Sequence, residues 1–147
     1  MFGKSQKFAQ LRNSDLSVRT NRARLLGDGD DSIDNARDLG KLSKSSKIDR
    51  NGSVTDDDPD FFKFKIKGGG SLKMNFKNEG EESINFSIVN KQGRVISADG
   101  RRLFVNVDDG DKGKFDVRLG KGTFFIKVDS GSRDDENYSF KLKFKSN

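Results

Sequence analysis

Four aspartates fall within seven residues of the stretch DGDDSIDNARDLGKL, residues 28–42: Asp28, Asp30, Asp31 and Asp34. Clustered carboxylates are hard oxygen donors, the ligand type that suits calcium. Cation binding is therefore the first chemistry the chain raises. An EF-hand is excluded, because Ile33 stands where that loop needs its tight-turn glycine. A metal site, the lead-in to a domain and a solvated acidic linker are the alternatives that spacing alone leaves.

Other chemistry is sharply limited. The chain has no Cys, so it has no disulfide, thiol nucleophile or thiolate metal site. It has no His, which removes the imidazole base, the Ser-His-Asp arrangement and an ordinary zinc site. Gly120-Lys121-Gly122-Thr123 lacks the upstream glycine spacing of a P-loop and reads as a turn. An enzyme is not expected.

The elements that must position any site show a period of two from about residue 46. DFFKFKIK sets Phe62, Phe64 and Ile66 on one face, with Phe61, Lys63, Lys65 and Lys67 on the other. The same alternation puts Leu72, Met74 and Phe76 inward, then Ile84, Phe86 and Ile88, then Leu103, Val105 and Val107. Phe115, Val117 and Leu119 follow, then Phe124, Ile126 and Val128, and finally Tyr138, Phe140, Leu142 and Phe144. Turn signals such as Asn78-Glu79-Gly80, Lys91-Gln92-Gly93 and Asp109-Gly110 separate the runs. With thirteen Phe, one Tyr and no Trp, a few large rings are expected to fill a core that only 31% hydrophobic residues must build. The expectation is an all-β protein: a jelly-roll-like antiparallel sandwich of seven to eight short strands over residues 28–147.

Residues 1–27 are different. They hold six Lys or Arg (Lys4, Lys7, Arg12, Arg19, Arg22, Arg24) and one acid, Asp15, for a charge of +5. The other 120 residues hold 23 basic and 22 acidic side chains, for +1. An extended or partly helical basic arm is expected, with residues 14–26 able to form a short helix capped by Ser14. Phe2, Phe8 and Leu11 would anchor it on a partner, and its charges would steer the encounter. The arm lacks dense basic clusters and the rest is nearly neutral, which disfavours nucleic acid. The start shows no apolar stretch of signal-peptide length, and the chain has no transmembrane run, so a cytoplasmic protein is expected.

The order DDSIDNARDLGKL, DDPDFFKFKI, NKQGRVI, GKGTFFIKV and NYSFKL resembles the bacterial pre-peptidase C-terminal domain. That family is similar in fold to the collagen-binding domains of clostridial collagenases. Phe replaces the usual Tyr in the two middle aromatic motifs, and Asp28 replaces the usual first Glu. The resemblance implies a non-catalytic eight-stranded jelly roll. It also implies modules that bind matrix or polysaccharide, some with calcium held by the lead-in and by the acidic turn before the aromatic strand. By position the ligands would be Asp28, Asp30 and Asp31 with Asp57, Asp58 and Asp60. A solvated set of turn caps is the alternative for the same acids.

Two surface features complete the expectation. Lys141, Lys143 and Lys145 alternate outward like Lys63, Lys65 and Lys67. Were the two strands neighbours, six ammonium groups would share one face, inviting an acidic partner or guarding a sheet edge. Phe61, Phe104 and Phe125 are out of register with the core and mark a protein contact or a loop-covered patch. The function expected first is a non-catalytic adaptor or linker whose arm engages an acidic protein assembly. The basic linkers of cyanobacterial phycobilisomes, which bind acidic pigment proteins, are the analogy. The alternatives are a calcium-dependent matrix or polysaccharide module, and nucleic-acid binding through the arm.

Overall fold

A computed structural model describes residues 32–147. The expected arm, with its candidate partner-binding residues and the helix expected after Ser14, the boundary expected at residue 28, and Asp28, Asp30 and Asp31 all lie outside the described residues.

Among the described residues there are eleven strands and no helix. In chain order they are β1 (Arg37–Leu42), β2 (Ser45–Val54), β3 (Asp60–Ile66), β4 (Gly70–Asn78) and β5 (Ile84–Val89). Then come β6 (Ser97–Ala98), β7 (Arg101–Arg102), β8 (Phe104–Val107), β9 (Lys112–Leu119), β10 (Gly122–Asp129) and β11 (Glu136–Ser146). One sheet has the order β9-β4-β11-β2 and the other the order β1-β3-β10-β5-β8, while β6 and β7 form a small hairpin. The chain crosses between the two large sheets at nearly every connection, which is the jelly-roll-like sandwich that the alternation predicts.

Four strands fall outside the predicted alternation: β1 and β2 of the sandwich and the β6-β7 hairpin. The sandwich gains β1 and β2, whose sequences RDLGKL and SSKIDRNGSV lack a clean apolar alternation. These are edge strands held by backbone pairing, so packing on both faces does not dictate their side chains. β1 also runs parallel to β3, against the antiparallel expectation, with a register break between Asp38 and Gly40. Gly40 takes φ 90° there and donates its N–H to Asp38 Oδ1 at 2.7 Å. That left-handed turn lets Leu39 reach the core while the strand continues to Leu42.

The inward residues expected from the period of two meet in one core between the sheets. Aromatic rings tie the layers together. Phe76 of β4 stacks on Phe86 of β5 at 4.5 Å between centroids, and Phe62 of β3 meets Phe140 of β11 edge-on at 5.1 Å. Such pairs add about 0.5–1.5 kcal/mol beyond area burial.

Candidate interaction surface

Opposite residues of an antiparallel register share one face of the sheet, so strand order builds the outer face of the four-stranded sheet row by row. Lys112 of β9 faces Lys77 of β4, which faces Ser139 of β11, which faces Asn51 of β2. The next row is Lys114, Asn75, Lys141 and Asp49. Asp116, Lys73, Lys143 and Lys47 follow, and then Arg118, Ser71, Lys145 and Ser45. All are exposed except the half-buried Ser139.

The face therefore carries nine Lys or Arg against two Asp, a net of +7. Residues 28–147 sum to only +1, so the rest of that segment carries −6. Charge is segregated rather than absent. Among the described residues no ion pair forms on this face; the pair seen, Lys127 with Asp129 at 3.8 Å, belongs to the other sheet. Two shallow depressions indent the face. One, of about 430 Å³, has Asn75, Ser139 and Asn51 low between Lys77, Lys112 and Lys141. The other, of about 380 Å³, has Ser45 and Ser71 between Lys47, Lys73, Lys143 and Lys145.

The predicted lysine patch is divided by this topology. Lys63 and Lys65 lie on β3, in the sheet opposite β11, and Lys67 follows β3 directly. Their outward side chains thus stand on the far side of the sandwich from Lys141, Lys143 and Lys145. The lysines directly opposite a lysine of β11 are instead Lys73 and Lys47, both facing Lys143.

Part of the outer face of the five-stranded sheet is covered. Phe61, Phe125 and Val89 form a small second cluster, covered by Ile33 and Ala36 of the lead-in and by Val95. Phe61 is only 8% exposed, so it is not the surface platform its register suggests. The lead-in reaches over it because an uncovered Phe pair would leave a large apolar patch in water. Phe104 does stay 39% exposed, with the Arg102 guanidinium 5.4 Å from its ring centre.

The acids of the TDDDPDFF turn do not gather. Asp57 is exposed, and its N–H donates to Thr55 Oγ1. Asp60 is buried, and its carboxyl group accepts the hydroxyl hydrogen of Tyr138 from the opposite sheet. Among the described residues no group of three carboxylates comes together. Asp57, Asp58 and Asp60 thus form no three-carboxylate site on their own, and the predicted set with Asp28, Asp30 and Asp31 extends outside the described residues.

One buried polar centre was not anticipated. Glu136, at the start of β11, accepts the backbone N–H groups of Glu81 at 2.6 Å and Glu82 at 2.9 Å, and the Ser132 hydroxyl at 2.9 Å. The two backbone N–H bonds are the main cause holding its carboxyl group below the ordinary value of 4.5; burial opposes them and Ser132 assists. Asn78 closes the same end, donating to the carbonyls of Glu82 and Val107. This arrangement ties the 79–83 loop to β11 and buries the carboxylate. Little in the local sequence marks it, because its two backbone partners lie more than fifty residues away and only Ser132 is near in the chain.

No protein-family model and no curated protein matches the sequence. Among solved structures, the pre-peptidase C-terminal domain of a collagenase from Bacillus anthracis superposes with a TM-score of 0.51 at 12% identity. That likeness covers 73% of this chain and 95% of the other. A Bacillus endospore appendage pilus structure gives 0.44 at 9% identity, covering 70% and 88% of the two chains. The Yersinia pseudotuberculosis-derived mitogen gives 0.44 at 13%, covering 69% and 86%. The sandwich of residues 32–147 is similar in fold to the pre-peptidase C-terminal domain, as the order of its motifs leads one to expect.

Proposed function

We propose that the protein is a non-catalytic binding module that docks an acidic protein assembly, with the outer face of the four-stranded sheet as its fixed contact. The observation that supports this most is the net +7 of that face in a segment whose total is +1. Like charges held this close repel one another, and an acidic partner relieves that repulsion while steering its own approach. The segment 1–27, at +5, adds attraction of the same sign. Its Phe2, Phe8 and Leu11 would anchor it, and Lys4, Lys7, Arg12, Arg19, Arg22 and Arg24 would pair with acids. An assembly of acidic pigment proteins of the phycobilisome type is one concrete partner for such a linker.

Affinity capture with the tagged full chain tests the reading. Wild type is compared with a sheet variant, Lys73→Glu with Lys141→Glu and Lys143→Glu, and with an arm variant, Arg12→Gln with Arg19→Gln, Arg22→Gln and Arg24→Gln. The captured proteins should be acidic, released by salt, and lost from the sheet variant. Capture of the same set by all three proteins, or of a set that is not acidic, contradicts the proposal.

A further inference from the structure

The two acids of the basic face occupy its margins. Asp49 lies on β2 and Asp116 on β9, the two edge strands of the four-stranded sheet. The central strands β4 and β11 carry only lysine and small polar residues outward over residues 71–77 and 139–145. Five of the nine cations, Lys73, Lys77, Lys141, Lys143 and Lys145, thus form an acid-free band on these two strands, about 5 Å between strand axes and four alternate positions long, about 20 Å; Lys112, Lys114 and Arg118 of β9 and Lys47 of β2 flank it. The depressions follow one another along that band, one floored by Asn75 and Ser139, the other by Ser71.

An acid-free band running along two strands, with the face's two acids only on the edge strands, suits a linear anion laid along the strands. Its internal repeat narrows the class. Lys141, Lys143 and Lys145 recur every second residue, about 6.8 Å apart. An extended polypeptide has the same repeat, so alternate carboxylates of an acidic segment meet successive lysines without strain. Asn and Ser on the floor offer side-chain hydrogen bonds to its backbone or to carboxylate oxygens. Single-stranded nucleic acid is disfavoured, because no outward residue of the band is aromatic and the rings beside the depressions, Phe76, Phe140 and Phe144, are buried, leaving no face on which a base would stack.

We infer that the band along β4 and β11 is a binding groove for an extended acidic peptide segment, rich in Asp or Glu at alternate positions. The inference rests on the acidic-partner reading and specifies where and how the partner lies. Binding is electrostatic and weakens steeply with salt. The conformation that the peptide adopts is a strand laid over the sheet face, not one added at its edge.

Fluorescence anisotropy with the full chain and a fluorescein-labelled octaglutamate tests it. Lys141→Glu with Lys143→Glu and Lys145→Glu should weaken binding at least about tenfold. A variant with the same net charge, Lys65→Glu with Lys67→Glu and Lys121→Glu, should bind within about twofold of wild type. If octaglutamate binds but the two variants weaken it equally, or neither does, the groove is not the site while an acidic partner stands. If octaglutamate does not bind at low salt, both the groove and the acidic-partner reading fall. An oligo-dT strand or heparin that binds tighter than octaglutamate, with the same dependence on Lys141, Lys143 and Lys145, replaces the peptide by nucleic acid or polysaccharide and overturns the inference.

Discussion

The hydroxyl of Tyr138 donates to the carboxyl group of Asp60 across the gap between the sheets, and Gly52 stands directly opposite Tyr138 in β2. A Cβ at Gly52 would lie 2.7 Å from the Tyr138 hydroxyl and 3.0 Å from Asp60 Oδ2, so the bond needs a residue without a side chain there. Tyr138→Phe is expected to cost about 1–3 kcal/mol, the range for taking one partner from a buried hydrogen bond. Gly52→Ala should cost more in the wild-type background than in Tyr138→Phe, where the closest clash is gone. Urea unfolding of the four proteins of that cycle gives the coupling; strict additivity would show that Gly52 and Tyr138 do not share one site.

Glu136 gives the fold a predictable acid response. Its carboxyl group titrates below 4.5 in the folded state because two backbone N–H groups favour its charged form. The stability it contributes is therefore complete above pH 4.5 and is lost as pH falls through the lower folded-state value. Glu136→Gln should be less stable than wild type at pH 7, with the gap closing progressively below pH 4.5 in thermal melts. A gap that stays constant from pH 7 to pH 3 would contradict this role.

Ile33 and Ala36 close the outer side of the five-stranded sheet over Phe61 and Phe125. Phe125→Ala should destabilise by about 3 kcal/mol, as for other buried rings. Ala36→Asp should leave most of the fold intact but open the cap, raising binding of a hydrophobic dye and exposing the lead-in to protease. A protected lead-in in Ala36→Asp would mean that the cap is held by something other than this cluster.

On the basic face, Lys143 is opposed by Lys73 on one side and Lys47 on the other. Lys143→Glu should therefore raise stability, by about 0.2–1 kcal/mol for each repulsive pair it turns attractive, while weakening association with an acidic partner. The stability gain should shrink in 1 M salt. Lower stability at low salt would show that the lysines are not in conflict. A site kept at the expense of stability is what selection for binding produces.

Much of the fold was legible because burial on one side of a strand writes a period of two. Phe62, Phe64, Leu72, Met74, Phe86, Phe115 and Phe140 all face inward as their spacing predicts. β1 and β2 were not legible, since their places at sheet edges are decided by backbone pairing. The basic face was half visible. Lys141, Lys143 and Lys145 stood out along one strand, but Lys73, Lys77, Lys112 and Lys114 join them only through strand order. Near-neutral composition hid the segregation, because net charge adds the two sides of the sandwich together. Phe61 shows the converse: its outward register is correct, yet its exposure depends on the lead-in folding back over it.

The most direct test is an amide NMR titration of the full 16.4 kDa chain with octaglutamate at low salt. Lys73, Asn75, Lys141 and Lys143, neighbours on β4 and β11, should shift together and saturate with one dissociation constant. Shifts confined to residues 1–31, or to the outer side of the five-stranded sheet, would contradict docking on the basic face.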